Sequence, residues 1–212
     1  MFKSFIRKTA AIFGEKIAEL RFERVTEDKY DTYGVSQVLH KQSVDESAEF
    51  IKKHISNCLL FGDKRRMYGY VSKCLGRFDG QPELLFFEFG VHTGTSINFL
   101  SANTTQPFYG FDTFEGMPEE WRGWNIEKGQ FSMQGQFPKV NSNVTLIKGL
   151  IQDTLPLFLE QNPGKKIAFI HIDTDIYSAA KVILQLCKSR LVKTALCCLM
   201  SCTRILHGKT MN

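Results

Sequence analysis

The sequence predicts an α/β fold: a doubly wound, mostly parallel sheet with helices on both faces and further helices ahead of it. Two observations carry this. Four short apolar runs, "PELLFFEFG", "PFYGFD", "NVTLIKG" and "KKIAFIHID", read as buried strands, and each ends in glycine or aspartate. Helix-compatible stretches, "TSINFLSAN", "TLPLFLEQN" and "SAAKVILQLCKS", alternate with them. In such sheets ligands bind at the carboxyl ends of the strands, so those ends are the places to search for chemistry.

Ahead of this core, residues 1–21 place Phe2, Phe5, Ile6, Phe13 and Ile17 as on an amphipathic helix. From Asp45 to about Gly76 the pattern is again helical, "DESAEFIKKHI" having an acidic start and a basic end. The chain divides into an N-terminal helical segment (1–76) serving as a lid or homodimer contact, a ligand-binding core (77–193) and an atypical tail (194–212).

The 212 residues suffice for one domain with a sizeable core, and 43% hydrophobic against 23% charged content is that of a soluble protein. No apolar run is long enough to span a bilayer. "TAAIFG" is cut short by Glu15, too early for a secretory segment. We expect a cytoplasmic protein with no membrane partner. The net charge of +5 is scattered apart from "MFKSFIRK" and "DKRR", and no recognition motif accompanies it, so no nucleic-acid partner is expected. None of the cysteines before Cys187 has ligand-like spacing.

The first strand ends Glu88-Phe89-Gly90-Val91-His92-Thr93-Gly94. Glycines after a strand allow a tight turn and close approach to a ligand. The full dinucleotide fingerprint G-x-G-x-x-G is absent. A carboxylate at the mouth of such a loop repels a pyrophosphate but suits a ligand carrying an ammonium and a sulfonium, which is S-adenosylmethionine. Asp112 ends the next strand, where doubly wound sheets use an acid to accept from ribose hydroxyls; the same residue also suits a cap for "DTFEG".

"FFEFGVHTGTS", "YGFDTFEGMPEEW", "VTLIKGLIQDTLP" and "FIHIDTDIYSAAKVIL", in this order and spacing, resemble the macrocin O-methyltransferase-related family of class I methyltransferases. The resemblance runs from about Glu83 to Leu191 and implies a Rossmann-like sheet, S-adenosylmethionine as methyl donor and Mg2+ as a frequent second cofactor. It implies that Glu88, Gly90, Val91, Gly94 and Thr95 form the donor loop. It also implies that Asp112 and Thr113 hold the ribose, and that Gly149 to Asp153 line the adenine. His92 stands where many methyltransferases have a glycine.

"HIDTDIY" ends the fourth strand with Asp173 and Asp175, two carboxylates able to bind a hard cation and to take a proton from an acceptor hydroxyl. The same Asp-x-Asp also serves to cap a helix. The resemblance assigns Asp173 to the metal; Asp175, then His171, are the candidate bases. The acceptor is a small molecule or a sugar. The stretch 115–138 carries Trp121, Trp124, Phe131 and Phe137 and is long enough to be a lid or binding loop. Its aromatics suit either stacking on an acceptor or sealing the lid. A nicotinamide-dependent oxidoreductase and a non-catalytic donor-binding remnant are the competing readings.

The tail breaks the pattern. In the family the fifth strand ends in an acidic pair that completes the metal site; here "TALCCLMSC" follows, with no Asp or Glu from Thr194 to Asn212. Permitted codons for Lys193 to Asn212, read from the last base of each preceding codon, spell "DGIVLFDELYENSAWENYE", an apolar strand with an acidic pair. A frame change near Lys193 accounts for this, and "CCLMSC" is then an accident of frame, not a zinc site. We expect the last strands of the class I sheet to be missing, "TALCCLM" to lie on an open edge, and catalysis to be weak or absent.

Overall fold

The computed structural model describes residues 34, 38, 41–42, 45–46, 48–49, 52–53, 58–119, 127–199 and 204–207. Two compact units emerge: residues 1–57 with 119–128 and 212, and residues 58–118 with 129–211. In the first, the described positions between Val38 and Lys53 are helical and exposed, with an ion pair between Lys52 and Glu49 at 3.6 Å. The helix expected over 1–21 and the tryptophans at 121 and 124 lie outside the described residues.

The second unit runs β1 (Cys58–Leu60), α1 (Lys64–Leu75), a 3-10 turn (Gly76–Phe78), β2 (Leu84–Phe89), α2 (Thr95–Ser101), β3 (Phe108–Asp112) and β4 (Val144–Lys148). It continues with α3 (Ile151–Gln161), β5 (Lys166–Ile172), α4 (Tyr177–Cys187), β6 (Leu191–Leu199) and β7 (Arg204–His207). The seven strands among the described residues form one sheet in the order β1-β7-β6-β5-β2-β3-β4. The five from β6 to β4 are mutually parallel, which is the predicted α/β arrangement.

The central strands lack polar alternation because both faces are covered. Every residue of β2 is buried, as is β5 after Lys166. On one face Phe86, Phe108, Phe169 and Leu196 pack against Met67, Val71 and Leu75 of α1 and Ile97 and Leu100 of α2. On the other, Phe87, Phe111, Ile170 and Cys197 meet Leu155 and Leu159 of α3 and Ile183 and Cys187 of α4. Burial stabilises each layer by about 25 cal/mol per Å² of apolar surface.

The expectation about the tail needs correcting. "TALCCL" does form the outer part of a strand, but β6 is not an edge: β7 pairs with it antiparallel, Cys197 facing Leu206, and β1 pairs with the far side of β7. The sheet therefore does not stop at β6. A four-residue strand such as "RILH" is too short for periodicity to announce it.

Candidate donor and acceptor site

The donor loop begins where β2 ends. Gly90 N–H donates to Phe111 O at 2.9 Å, and Asp173 N–H donates to Phe89 O at 2.9 Å, so the loop stays tied to both neighbouring strands. Gly90 has φ +89°, and a Cβ there would lie 2.4 Å from Asp173 O. Glycine at this position is what lets the donor loop touch the end of β5. Val91 is buried, His92 takes φ +47°, and Gly94, at φ +77°, is the left-handed cap of α2. Thr95, the first residue of that helix, is exposed, with its hydroxyl 3.0 Å from that of Thr93.

Asp112 closes the loop from the side. Its Oδ2 accepts from Val91 N–H and His92 N–H, both at 2.8 Å, and its Oδ1 accepts from Phe114 N–H at 2.8 Å. A carboxylate with two to three such donors fixes the backbone around it. Oδ1 carries one bond and keeps an acceptor position, so the residue fits a ribose hydroxyl as well. Thr113 Oγ1 donates to Gly116 O at 3.0 Å and Gly149 N–H donates to Asp112 O at 2.9 Å. Asp153 lies exposed in the first turn of α3. The fold thus gathers Gly90, Val91, Gly94, Thr95, Asp112, Thr113 and Gly149 at the carboxyl ends of β2, β3 and β4.

Glu88 and His171 lie at the same strand ends with their side chains turned inward. Glu88 was expected at the loop mouth and His171 as a candidate base, yet both side chains are fully buried and 2.8 Å apart, His171 Nδ1 to Glu88 Oε2. Strand parity is the reason: residue 88 shares the face of Leu84 and Phe86, under α1 and α2. Ser96 Oγ donates to Glu88 Oε1 at 2.7 Å, and the Tyr68 ring meets the imidazole edge-on at 5.6 Å. Ser96 and Tyr68 escaped the sequence argument. A charge inside an all-apolar strand was nonetheless a signal, since it requires a buried partner, and His171 is the polar residue of the adjoining apolar run.

Asp173 is half-buried and Asp175 exposed, both just beyond β5. Although Asp175 is exposed by surface area, protein atoms around its carboxyl desolvate it and push it up to about 6, with the charge of Asp173 adding and Lys64 opposing. The Tyr68 hydroxyl is held above its ordinary range by burial and by Asp173 and Glu88. Among the described residues no group of three His, Cys, Asp or Glu is placed to hold a metal ion. Asp173 and Asp175 supply two carboxylate donors, a set with which magnesium is held when water fills most of its six positions. Cys197 and Cys198 point into opposite core layers, which denies them a shared metal, and burial pushes the Cys197 thiol up to about 12.

The long stretch after β3 is closed at its base, where Met117 N–H donates to Gln130 O and Gly129 N–H to Met117 O, both at 2.9 Å. Phe137 packs on Phe114 at 5.1 Å, while Phe131, 46% exposed, meets the edge of His92 at 6.1 Å. Phe137, itself 58% exposed, rests on Phe114 without sealing the surface, and Phe131 borders the donor loop.

Comparison with known proteins adds the following. Curated proteins give no match. Among solved structures the chain is similar to CalS11, a calicheamicin methyltransferase, at 18% identity and TM-score 0.48, over 86% of this chain and 76% of that one. The apo form of CalS11, described as a TDP-rhamnose 3'-O-methyltransferase in calicheamicin biosynthesis, gives 18%, TM-score 0.46, and 86% and 75% coverage. The O-methyltransferase NovP gives 15%, TM-score 0.46, and 64% and 62% coverage. Similarities this remote carry nothing about acceptor or chemistry. A methyltransferase domain matches residues 87–199, more than half of the chain, from the middle of β2 to the last residue of β6. The chain therefore belongs to this methyltransferase domain family, which implies S-adenosylmethionine as its cofactor.

Proposed function

We propose that the chain is built as an O-methyltransferase acting on a hydroxyl of a small molecule or a sugar. The observation that carries this is the close approach of the donor loop to the Asp173–Asp175 segment, made through Gly90. In this reading the loop from Gly90 to Thr95 receives the donor's amino-acid end, Asp112 and Thr113 its ribose, and Gly149 to Asp153 its adenine. When bound, S-adenosylmethionine supplies an electrophilic methyl group. Asp175, whose carboxyl is raised to about 6, takes the acceptor's proton at neutral pH, and the oxygen then attacks in line. Asp173 raises Asp175 and sits beside the loop.

The reading includes a frame change near Lys193. In the other frame the Asp-Glu pair is encoded across Leu199, Met200 and Ser201. Leu199 pairs with Ile172, the residue directly before Asp173, so that pair would follow β6 at the level where Asp173 follows β5. This register supports the view that the acidic pair belongs to the same site, where it would add ligands for Mg2+ to Asp173. The competing reading is a donor-binding protein without turnover.

Resequencing around the Lys193 codon tests the frame. Radiolabelled S-adenosylmethionine with a panel of hydroxyl acceptors, alongside calorimetric titration of S-adenosylhomocysteine and NAD, tests the rest. Transfer that Asp175→Asn abolishes is expected of the methyltransferase; homocysteine-nucleoside binding without transfer marks the remnant. NAD binding in preference to both overturns the donor reading.

A further inference from the structure

All six residues of β2 are buried and its fifth is a glutamate. A carboxylate out of water is costly unless hydrogen bonds replace its solvation, and an apolar residue would fill such a place at lower cost. Glu88 takes Ser96 Oγ on Oε1 at 2.7 Å and His171 Nδ1 on Oε2 at 2.8 Å. Ser96 lies in the first turn of α2, the helix the donor loop opens into. His171 stands two residues before Asp173, and Glu88 two before Gly90. One carboxylate thus joins three elements at the points where each leads into the site. Tyr68 completes the cluster from α1, its ring edge-on to the imidazole at 5.6 Å and 90°. His171 Nε2 is buried and has no hydrogen-bond partner among the described residues, so these surroundings support the tautomer that carries its proton on Nδ1 and donates it to Glu88.

We propose that Glu88 is a positioning residue that does not touch the donor. With Ser96, His171 and Tyr68 it forms a buried clamp that holds the donor loop, α2 and the Asp173 end of β5 in register. This rests on the donor-binding reading above. The clamp also explains why an ionic group persists in an otherwise apolar strand: it orients rather than stabilises.

Glu88→Gln keeps the shape and both hydrogen bonds, its carbonyl accepting from Nδ1–H and its amide donating to Ser96 Oγ, but removes the charge. The test compares S-adenosylhomocysteine with 5′-methylthioadenosine, which lacks the amino-acid end, by calorimetry on wild type and variant. A positioning role weakens both ligands by one common factor, roughly three- to tenfold, because charged hydrogen bonds become neutral ones. A direct contact to the donor's ammonium instead weakens S-adenosylhomocysteine alone, by about tenfold or more, and overturns the proposal. Unchanged affinity for both ligands overturns it too. Independently of any ligand, nitrogen-15 spectra of the wild-type protein are expected to show His171 as the Nδ1–H tautomer; Nε2–H overturns the clamp. A wild-type chain that binds neither nucleoside overturns the donor reading, and the imidazole spectrum then still decides whether the clamp exists.

Discussion

Replacing Asp112 by asparagine separates a ligand contact from a structural one. The carboxylate accepts from three backbone N–H groups, of Val91, His92 and Phe114, each at 2.8 Å. Asparagine keeps one acceptor oxygen. Its better orientation points that oxygen at Val91 and His92 and turns the amide toward Phe114 N–H, donor against donor. A hydrogen bond to a charged group contributes about 1.5–3 kcal/mol and a neutral one about 0.5–1.5 kcal/mol. Losing one charged bond and weakening two sums to about 3.5–6 kcal/mol, and water taking over the Phe114 N–H leaves about 2–3 kcal/mol from the two weakened bonds. For a chain of this size that corresponds to a fall of roughly 4–12 °C in Tm. Urea denaturation and thermal melting of wild type and variant, without ligand, read it directly. If Asp112 serves only the ribose, Tm is unchanged while S-adenosylhomocysteine binding falls; an unchanged melt therefore refutes the structural role of its three backbone bonds.

Three further outcomes are expected. Gly90→Ala combines left-handed strain with a Cβ 2.4 Å from Asp173 O, whereas Gly164, at φ +77°, has no neighbour within 4 Å. Equilibrium denaturation should therefore show a loss of about 1–2 kcal/mol for Gly164→Ala, from strain alone, and a clearly larger one for Gly90→Ala. The Asp175 carboxyl, raised from 3.8 to about 6, binds a proton more tightly folded than unfolded, so its contribution to stability is present below pH about 4 and lost as pH rises through 6. Solvent screening keeps that change in stability small, but methyl transfer should rise through pH 6, and a profile flat between pH 5 and 7 contradicts a base role. Burial pushes the thiols of Cys187 and Cys197 up to about 12 and raises that of Cys198, so all three should resist a disulfide reagent until the protein unfolds, with or without zinc.

The parallel core was legible because its strands are short apolar runs that stop at glycine or aspartate. β2, β3, β4 and β5 lie within the four quoted runs, and α2, α3 and α4 overlap the three helical ones. Strand ends also located Asp112 and Asp173. Side-chain direction was less legible at Glu88. A strand covered on both faces has no polar alternation to orient it, so an acid at its end reads as facing the loop mouth, whereas residue 88 shares the buried face of Leu84 and Phe86. Tyr68 carried no signal at all: its role follows from α1 packing over His171, a contact made across the fold. β1 and β7 were missed because three- and four-residue strands are defined by their partners.

The pairing of β7 between β6 and β1 bears on the order in which the molecule can assemble. β1 comes early in synthesis, but the edge it joins does not exist until residues 204–207 have docked on β6. Contacts between segments so far apart in the chain carry the largest loop-closure cost and form late. Residues 58–60 therefore wait on the ribosome without their partner while the parallel core can already close behind them. Any change to residues 204–207 then acts twice, once on the strand they supply and once on the much earlier strand that depends on it.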